Sequence, residues 1–102
     1  MTKPVRFGSA ADEELVVAAT FYEERAGLGR DFVAAAREAA HHLAALPKSF
    51  PLARGVPFQL GVRRCPIRRF PYALFFVELP DQFRVLAVAH ERRRPSYWRR
   101  RV

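Results

Sequence analysis

Residues 62 to 98 decide the fold, and they read VRRCPIRRFPYALFFVELPDQFRVLAVAHERRRPSYW. The stretch holds two apolar runs of strand length, at 72–79 and 83–89, separated by the turn residues Pro80 and Asp81. Arginine clusters precede the first run and follow the second. The pattern predicts a buried pair of strands with basic residues at its ends, which the first half of the chain has to cover.

Each part of this stretch has the pattern of a particular kind of strand. Residues 62–68 predict a first strand, and Pro66 within it favours an edge position or a bulge. Residues 72–79 are apolar on both sides, which is typical of a central strand covered on both faces. In the last run, at 83–89, successive side chains are expected to point to opposite faces of the sheet. One side is expected to hold Phe83, Val85, Ala87 and Ala89, and the other Arg84, Leu86, Val88 and His90.

The first half of the chain has the pattern of a helical hairpin. Ser9, followed by acidic residues, predicts the N-cap of a first helix, and Gly27 can supply its left-handed end. A second helix follows the Leu28-Gly29 turn and is closed by Pro47. Helical spacing predicts the buried stripes. The first stripe is Leu15, Ala18, Ala19, Tyr22 and Ala26, and the second is Phe32, Ala35, Ala36, Ala39, Leu43 and Leu46.

The order of these elements predicts the fold class. A short extended segment at 3–7 precedes the helical hairpin, and a three-stranded antiparallel meander follows it. This order is typical of an α+β domain in which the helices pack on one face of a small, mainly antiparallel sheet. A chain of 102 residues is long enough for one core and too short for two, so residues 1–102 are predicted to form a single domain.

Positive charge is concentrated in the sheet half of the chain. Residues 1–52 hold 6 Lys and Arg against 7 Asp and Glu, a balance of −1, whereas residues 53–102 hold 12 against 3, a balance of +9. Such a field attracts nucleic acid, an anionic protein surface or acidic lipid, or it is simply a solvated face. The single cysteine, Cys65, excludes an internal disulfide. With no apolar segment of signal-peptide or membrane-spanning length, a cytoplasmic protein without a membrane partner is expected.

The candidate site residues are arginines and aromatic residues around the predicted strands. If the strands pair, some of them approach each other beside His90, which could bind an acidic partner or bind and cleave RNA without a metal. Tyr97 and Trp98 could stack on a base or fold back over a sheet edge. No cofactor or metal is expected, since adjacent histidines on a helix face different directions. The candidate binding residues are Arg63, Arg64, Arg68, Arg69, His90, Arg92, Arg93, Tyr97 and Trp98.

Three segments carry a resemblance to a known family. The segments RFPYALFF at 69–76, VLAVAHERR at 85–93 and PSYW at 95–98 follow the element order described above. Together they resemble the RelE/ParE toxin superfamily, whose members are often called plasmid stabilisation proteins, and they are closer to the ParE-like branch. The resemblance implies a type II toxin that is held inactive by an antitoxin whose C-terminal segment wraps around it.

The two branches of this superfamily imply different activities. RelE-like members cut messenger RNA in the ribosome with basic residues and a C-terminal tyrosine, whereas ParE-like members poison DNA gyrase and have no hydrolytic site. Tyr97 falls near the position of that tyrosine, but Ala73 stands where the nuclease branch keeps a strand arginine. The resemblance therefore favours a ParE-like toxin with DNA gyrase and a ParD-like antitoxin as partners, and a homodimer is a further expectation.

Two alternatives accompany this interpretation. The first is a metal-independent endoribonuclease that acts on the ribosome. Its phosphate ligands would be Arg63, Arg68 and Arg92, and its acid–base groups His90 and Tyr97. The second is a protein that has lost toxicity and persists as a corepressor that binds the antitoxin.

Overall fold

The two apolar runs form the central strands of a four-stranded sheet. The computed structural model describes residues 3–94 and 97–102. The sheet has the order β1-β4-β3-β2. Its strands are β1 (Val5–Phe7), β2 (Arg63–Ile67), β3 (Tyr72–Glu78) and β4 (Phe83–His90). The antiparallel meander β2-β3-β4 is confirmed, and β1 adds a parallel partner for β4, so the sheet is mixed.

The helical hairpin consists of α1 (Ser9–Ala26) and α2 (Gly29–Ala45). Gly27 ends α1 with φ of 66°, and its N–H reaches back to the last turn of the helix, as predicted. The predicted cap at Ser9 is wrong, because Gly8 is the N-cap. The Gly8 N–H donates to the Val85 carbonyl at 3.0 Å, which ties that residue to the sheet and starts the helix one position earlier. None of the described helices is long and apolar enough to cross a membrane.

The main core lies between the two helices and one face of the sheet, which we call the helix face. Phe32 and Leu43 of α2 are fully buried there against Ile67 of β2 and Leu74 of β3. The predicted helical stripes are confirmed except at their last residues: Ala26, which ends α1, is exposed, and Leu46 is 66% exposed. For Leu46 the reason is local: α2 ends at Ala45, and the next residue leaves the helical conformation with φ of −137°.

A β-bulge in β4 overturns the predicted alternation of that strand. Phe75 pairs with Ala87 while Phe76 pairs with Val85, so Leu86 is an extra residue opposite the junction. Because of this extra residue, the side chains of β4 that follow Leu86 point to the face opposite to the one predicted. Phe83, Val85 and Val88 face the helices, whereas Leu86, Ala87 and Ala89 belong to a second cluster on the opposite face.

The second cluster covers the face of the sheet opposite the helices, which we call the outer face. Trp98 is fully buried there, and its ring lies 4.7 Å from the ring of Phe75. Ala53 and Val62, from the long connection between α2 and β2, complete the cover. The prediction that the central strand is buried on both faces is therefore confirmed, and the C-terminal segment supplies part of the second cover.

The strand β2 forms one edge of the sheet, as the proline within it predicted. Leu52 forms an isolated antiparallel bridge with Arg63 on the outside of this strand. The Arg64 N–H donates to the Pro51 carbonyl at 3.0 Å on the same side. The residues around Leu52 are thereby fixed beside the outer face.

Candidate functional site

A cavity of about 400 Å³ with a basic rim lies on the outer face, and we call it the arginine pocket. Its buried lining is apolar and forms a floor. The floor residues are Ala73, Phe75, Ala89 and Trp98. Apart from Pro51 and Leu52, its more exposed lining is charged or titratable and forms a rim. The rim residues are Arg54, Arg64, His90, Glu91, Arg93 and Arg94. Four guanidinium groups beside an apolar floor suit an anionic partner that also presents apolar surface.

Sheet register explains why these side chains meet. Arg64 of β2 lies opposite Phe75 of β3, which lies opposite Ala87 of β4, and cross-strand partners share a face. Arg93 and Arg94 follow the end of β4, so the chain brings them to the same end of the outer face. Register thus brings the strand residues of the pocket together, and the segments before β2 and after β4 complete it.

Strand alternation separates Arg63 from Arg64. Arg63 donates through Nη1 to the Phe50 carbonyl at 2.6 Å, and Phe50 packs against the helix-face core. Arg68 and Arg69, in the turn after β2, reach towards α2. Their nearest carboxylates are Glu38 at 3.6 Å and Asp31 at 3.9 Å, respectively. The structure thus places these three predicted site arginines outside the arginine pocket.

His90 ends β4 at the rim of the pocket, and its ring packs edge-on to Tyr72 at 5.1 Å. Its Nδ1 accepts the backbone N–H of Arg92 at 3.0 Å, which assigns the proton of the neutral ring to Nε2. Arg92 itself is exposed and is not part of the pocket lining. One nitrogen of the imidazole is therefore already used by the turn that follows β4.

Tyr97 donates its hydroxyl to a carboxylate oxygen of Glu14, on α1, at 2.6 Å. Arg101 donates to the same carboxylate at 2.8 and 3.3 Å, and the Val88 N–H donates to it at 3.1 Å. Burial, followed by the hydrogen bond and charge of Glu14, raises the pKa of the Tyr97 hydroxyl well above its usual range, although Arg93 and Arg101 oppose this. The Tyr97 hydroxyl is therefore the donor of this cluster, and Glu14 is its acceptor.

Arg93 connects this cluster to the pocket. Its guanidinium lies 3.7 Å from the centre of the Tyr97 ring, within the range of a cation–π contact. Of the predicted binding residues, the structure brings together Arg64, His90, Arg93 and Trp98 at the pocket, with Tyr97 beneath Arg93.

A family model agrees with this fold and with the resemblance. The model described as "ParE toxin of type II toxin-antitoxin system, parDE" matches residues 5–95. This chain belongs to the ParE toxin family. A solved structure described as "Chromosomal ParDE TA system from P. aeruginosa" is similar in fold to this ParE-family toxin, with a TM-score of 0.62. It is 17% identical in sequence, and the match covers 87% of this chain and 96% of that chain. No curated protein matches the sequence.

The prediction that Trp98 could stack on a base is wrong for this ParE-family toxin. Its side chain is 0% exposed and already packs on Phe75, so neither ring face is free for a ligand. Its Nε1 is the one buried side-chain nitrogen or oxygen without a hydrogen-bond partner among residues 3–94 and 97–102. The tryptophan shapes the floor of the pocket and cannot act as a stacking platform.

Several residues of the site were not among the predicted ones. Arg54 lies in a loop that has no motif, and Arg94 was recognised only as part of a basic cluster. Glu14 looked like any acidic residue on a solvated helix face, and its contacts with Tyr97 and Arg101 span 83 and 87 residues. No local pattern in the sequence signals contacts of that length.

Cys65 provides a first test of the packing between the sheet and α2, because it lies in the helix-face core and its Sγ is 3.5 Å from the Ala39 carbonyl oxygen. Burial raises the pKa of its thiol from 9.0 to about 11, with Arg64 lowering it slightly. Because the folded pKa is the higher one, the associated stability is complete below pH 9 and is lost as the pH rises towards 11. We expect the free energy of unfolding of the wild type to fall by about 2 kcal/mol more than that of Cys65→Ala over this range. Urea unfolding at several pH values measures both, and parallel curves would contradict the prediction.

Proposed function

We propose that this toxin binds DNA gyrase and traps its complex with cleaved DNA, without making or breaking a bond with its own side chains. Membership of the ParE family supports the proposal. The observation that carries it is the state of the two candidate proton-transfer groups. The Tyr97 hydroxyl is donated to Glu14, and Nδ1 of His90 accepts the Arg92 N–H.

An RNA-cleaving mechanism that used Tyr97 would require its hydroxyl to be free, and His90 could act only through Nε2, because Nδ1 accepts the Arg92 N–H. General acid–base catalysis needs a side chain within hydrogen-bond reach of the reacting proton and a pKa near the working pH. Burial and Glu14 move the pKa of Tyr97 away from that range. Arg63 and Arg68, two of the phosphate ligands of the nuclease alternative, point to Phe50 and Glu38. These contacts favour a binding surface over a catalytic one.

Neutralisation by a ParD-like antitoxin in the cytoplasm is the second part of the proposal. We take the arginine pocket as the surface that meets gyrase, and its guanidinium groups also suit acidic side chains of an antitoxin that covers the same surface. Three apolar side chains of α1 are also exposed to solvent. They are Val16 at 59%, Val17 at 69% and Phe21 at 45%. A wrapping antitoxin would cover them, and a homodimer is the expected alternative when the antitoxin is absent.

A gyrase assay with a hydroxyl-deletion variant tests the proposal. Purified toxin, freed of antitoxin, is expected to inhibit gyrase supercoiling and to accumulate cleaved DNA. Tyr97→Phe keeps the ring under Arg93, so we expect its potency to fall by less than about tenfold. A ribonuclease that used this hydroxyl would lose about 100-fold or more.

Other results would point elsewhere. Normal supercoiling without cleaved DNA, at toxin concentrations that stop growth, would overturn the gyrase proposal. Cleaved messenger RNA in ribosome complexes would then support the nuclease alternative. A chain whose expression leaves growth unaffected would fit a corepressor that has lost toxicity.

A further inference from the structure

One carboxylate joins the C-terminal segment to α1 and β4, in addition to the burial of Trp98 against Phe75. Glu14 accepts hydrogen bonds from the Tyr97 hydroxyl, from both terminal nitrogens of Arg101 and from the Val88 N–H. The ion pair with Arg101 is largely shielded, because the two side chains are 18% and 28% exposed. Charge-assisted bonds of this kind are stronger than neutral ones, particularly where solvent is excluded.

The carboxylate sits where β4 lacks a neighbouring strand. Register pairing with β1 ends at Phe7 and Val85, and the Gly8 N–H takes the Val85 carbonyl. Beyond that point, Arg101 donates to the Leu86 carbonyl at 3.1 Å and Glu14 accepts the Val88 N–H. Buried backbone groups need partners, so the ion pair takes the place of the missing strand. The free backbone groups of β4 thus hold the side chains of Glu14 and Arg101 in place.

The same cluster sets the shape of the arginine pocket. Tyr97, held by Glu14, supports the guanidinium of Arg93 at the rim. Trp98, the next residue, closes the floor. Glu14 itself is not among the residues that line the pocket, so it acts on the pocket through the C-terminal segment.

We propose that Glu14 is a positioning residue for the binding surface of this toxin. It holds residues 97–101 closed, so that the arginine pocket keeps the shape that meets the target. The inference rests on the proposed function only in taking the pocket as the target-binding surface. Closure of the segment can be measured without any target.

Intrinsic fluorescence provides that direct measurement, since Trp98 is the single tryptophan of the chain. In Glu14→Ala the segment is released, so the emission of Trp98 shifts to longer wavelength and acrylamide quenches it more strongly. Glu14→Gln keeps the size of the side chain without the charge. Its emission is expected to lie between that of the wild type and that of Glu14→Ala. Glu13→Ala removes the adjacent, exposed carboxylate from the same helix and leaves the emission unchanged.

Gyrase inhibition by the same variants measures the effect on the surface. We expect Glu14→Ala to be at least about tenfold weaker than the wild type, with Glu14→Gln in between. Ile67→Val serves as a control for stability, because it weakens the helix-face core and leaves the C-terminal segment untouched. If lost stability were the whole cause, Ile67→Val would lose potency in proportion to its own destabilisation. Retained potency in this control supports a positioning role.

The outcomes separate the two proposals. Wild-type toxin that does not inhibit gyrase would overturn the proposed function, and the Trp98 fluorescence would still decide whether Glu14 closes the segment. Unchanged emission and quenching in a folded Glu14→Gln or Glu14→Ala variant would overturn the inference. A shifted emission with unchanged gyrase inhibition would also overturn it, because the closed segment would then be irrelevant to the surface.

Discussion

Replacing Trp98 by alanine should lower the free energy of unfolding by about 3–5 kcal/mol, the usual cost of removing a large buried aromatic side chain. The ring is fully buried and packs at 4.7 Å on Phe75, where it covers the outer face of the two central strands. Domains of this size are stable by only about 5–15 kcal/mol, so the variant should be close to unfolding. Urea unfolding followed by circular dichroism measures the loss.

Trp98→Phe is the matched control for this prediction. It keeps an aromatic ring against Phe75, and no hydrogen bond is lost because Nε1 of Trp98 has no partner in the described structure. We expect this variant to lose about 1–2 kcal/mol, mainly through the smaller volume. A loss below about 1 kcal/mol in Trp98→Ala would show that the outer face is not a true core.

Charge reversal at the arginine pocket should abolish toxicity. In the double variant Arg64→Glu, Arg94→Glu, two rim cations become anions that repel an acidic surface on the partner. Like charges facing each other across an interface cost several kcal/mol, so gyrase inhibition is expected to fall by more than about 100-fold. Supercoiling assays and growth on inducing medium measure the loss.

A second double variant separates the pocket from the overall charge. Arg30→Glu, Arg37→Glu changes two exposed arginines of α2. Each double variant lowers the net charge from +8 to +4, because every replacement removes one positive charge and adds one negative charge. The α2 variant should keep most of its activity. Equal losses in both variants would mean that the general positive field acts, and that the pocket is not a specific site.

Most of the fold could be predicted because its signals are local. The stripes of α1 and α2 and the left-handed end at Gly27 depend on residues within a few turns of each other. The bulge at Leu86 could not be predicted, since every residue from 85 to 89 is apolar and suits either face of a sheet covered on both sides. The position of Leu46 depended on where α2 stops, a boundary that spacing alone leaves open by a residue or two.

The site was harder to predict than the fold, because it is assembled from distant segments. Arg64, His90 and Arg93 could be grouped, since strand pairing brings them to one end of the sheet. Arg63 was grouped with them, although alternation along β2 puts neighbouring residues on opposite faces. Glu14 could not be identified, because its role depends on an edge of β4 that exists only after β1 ends.

The proline in β2 has a consequence for how this molecule meets other chains. Groups on the outside of a strand recur every second residue, so Arg64 and Pro66 share that side. The Arg64 N–H is already bonded to Pro51, and proline has none to donate. An incoming strand would find no backbone donor at either position, which protects this border from fibril-like stacking. A partner that approaches from the β2 side therefore finds its hydrogen-bond donors in side chains at these two positions, so that the arginine side chains of this strand can set which acidic surfaces it accepts.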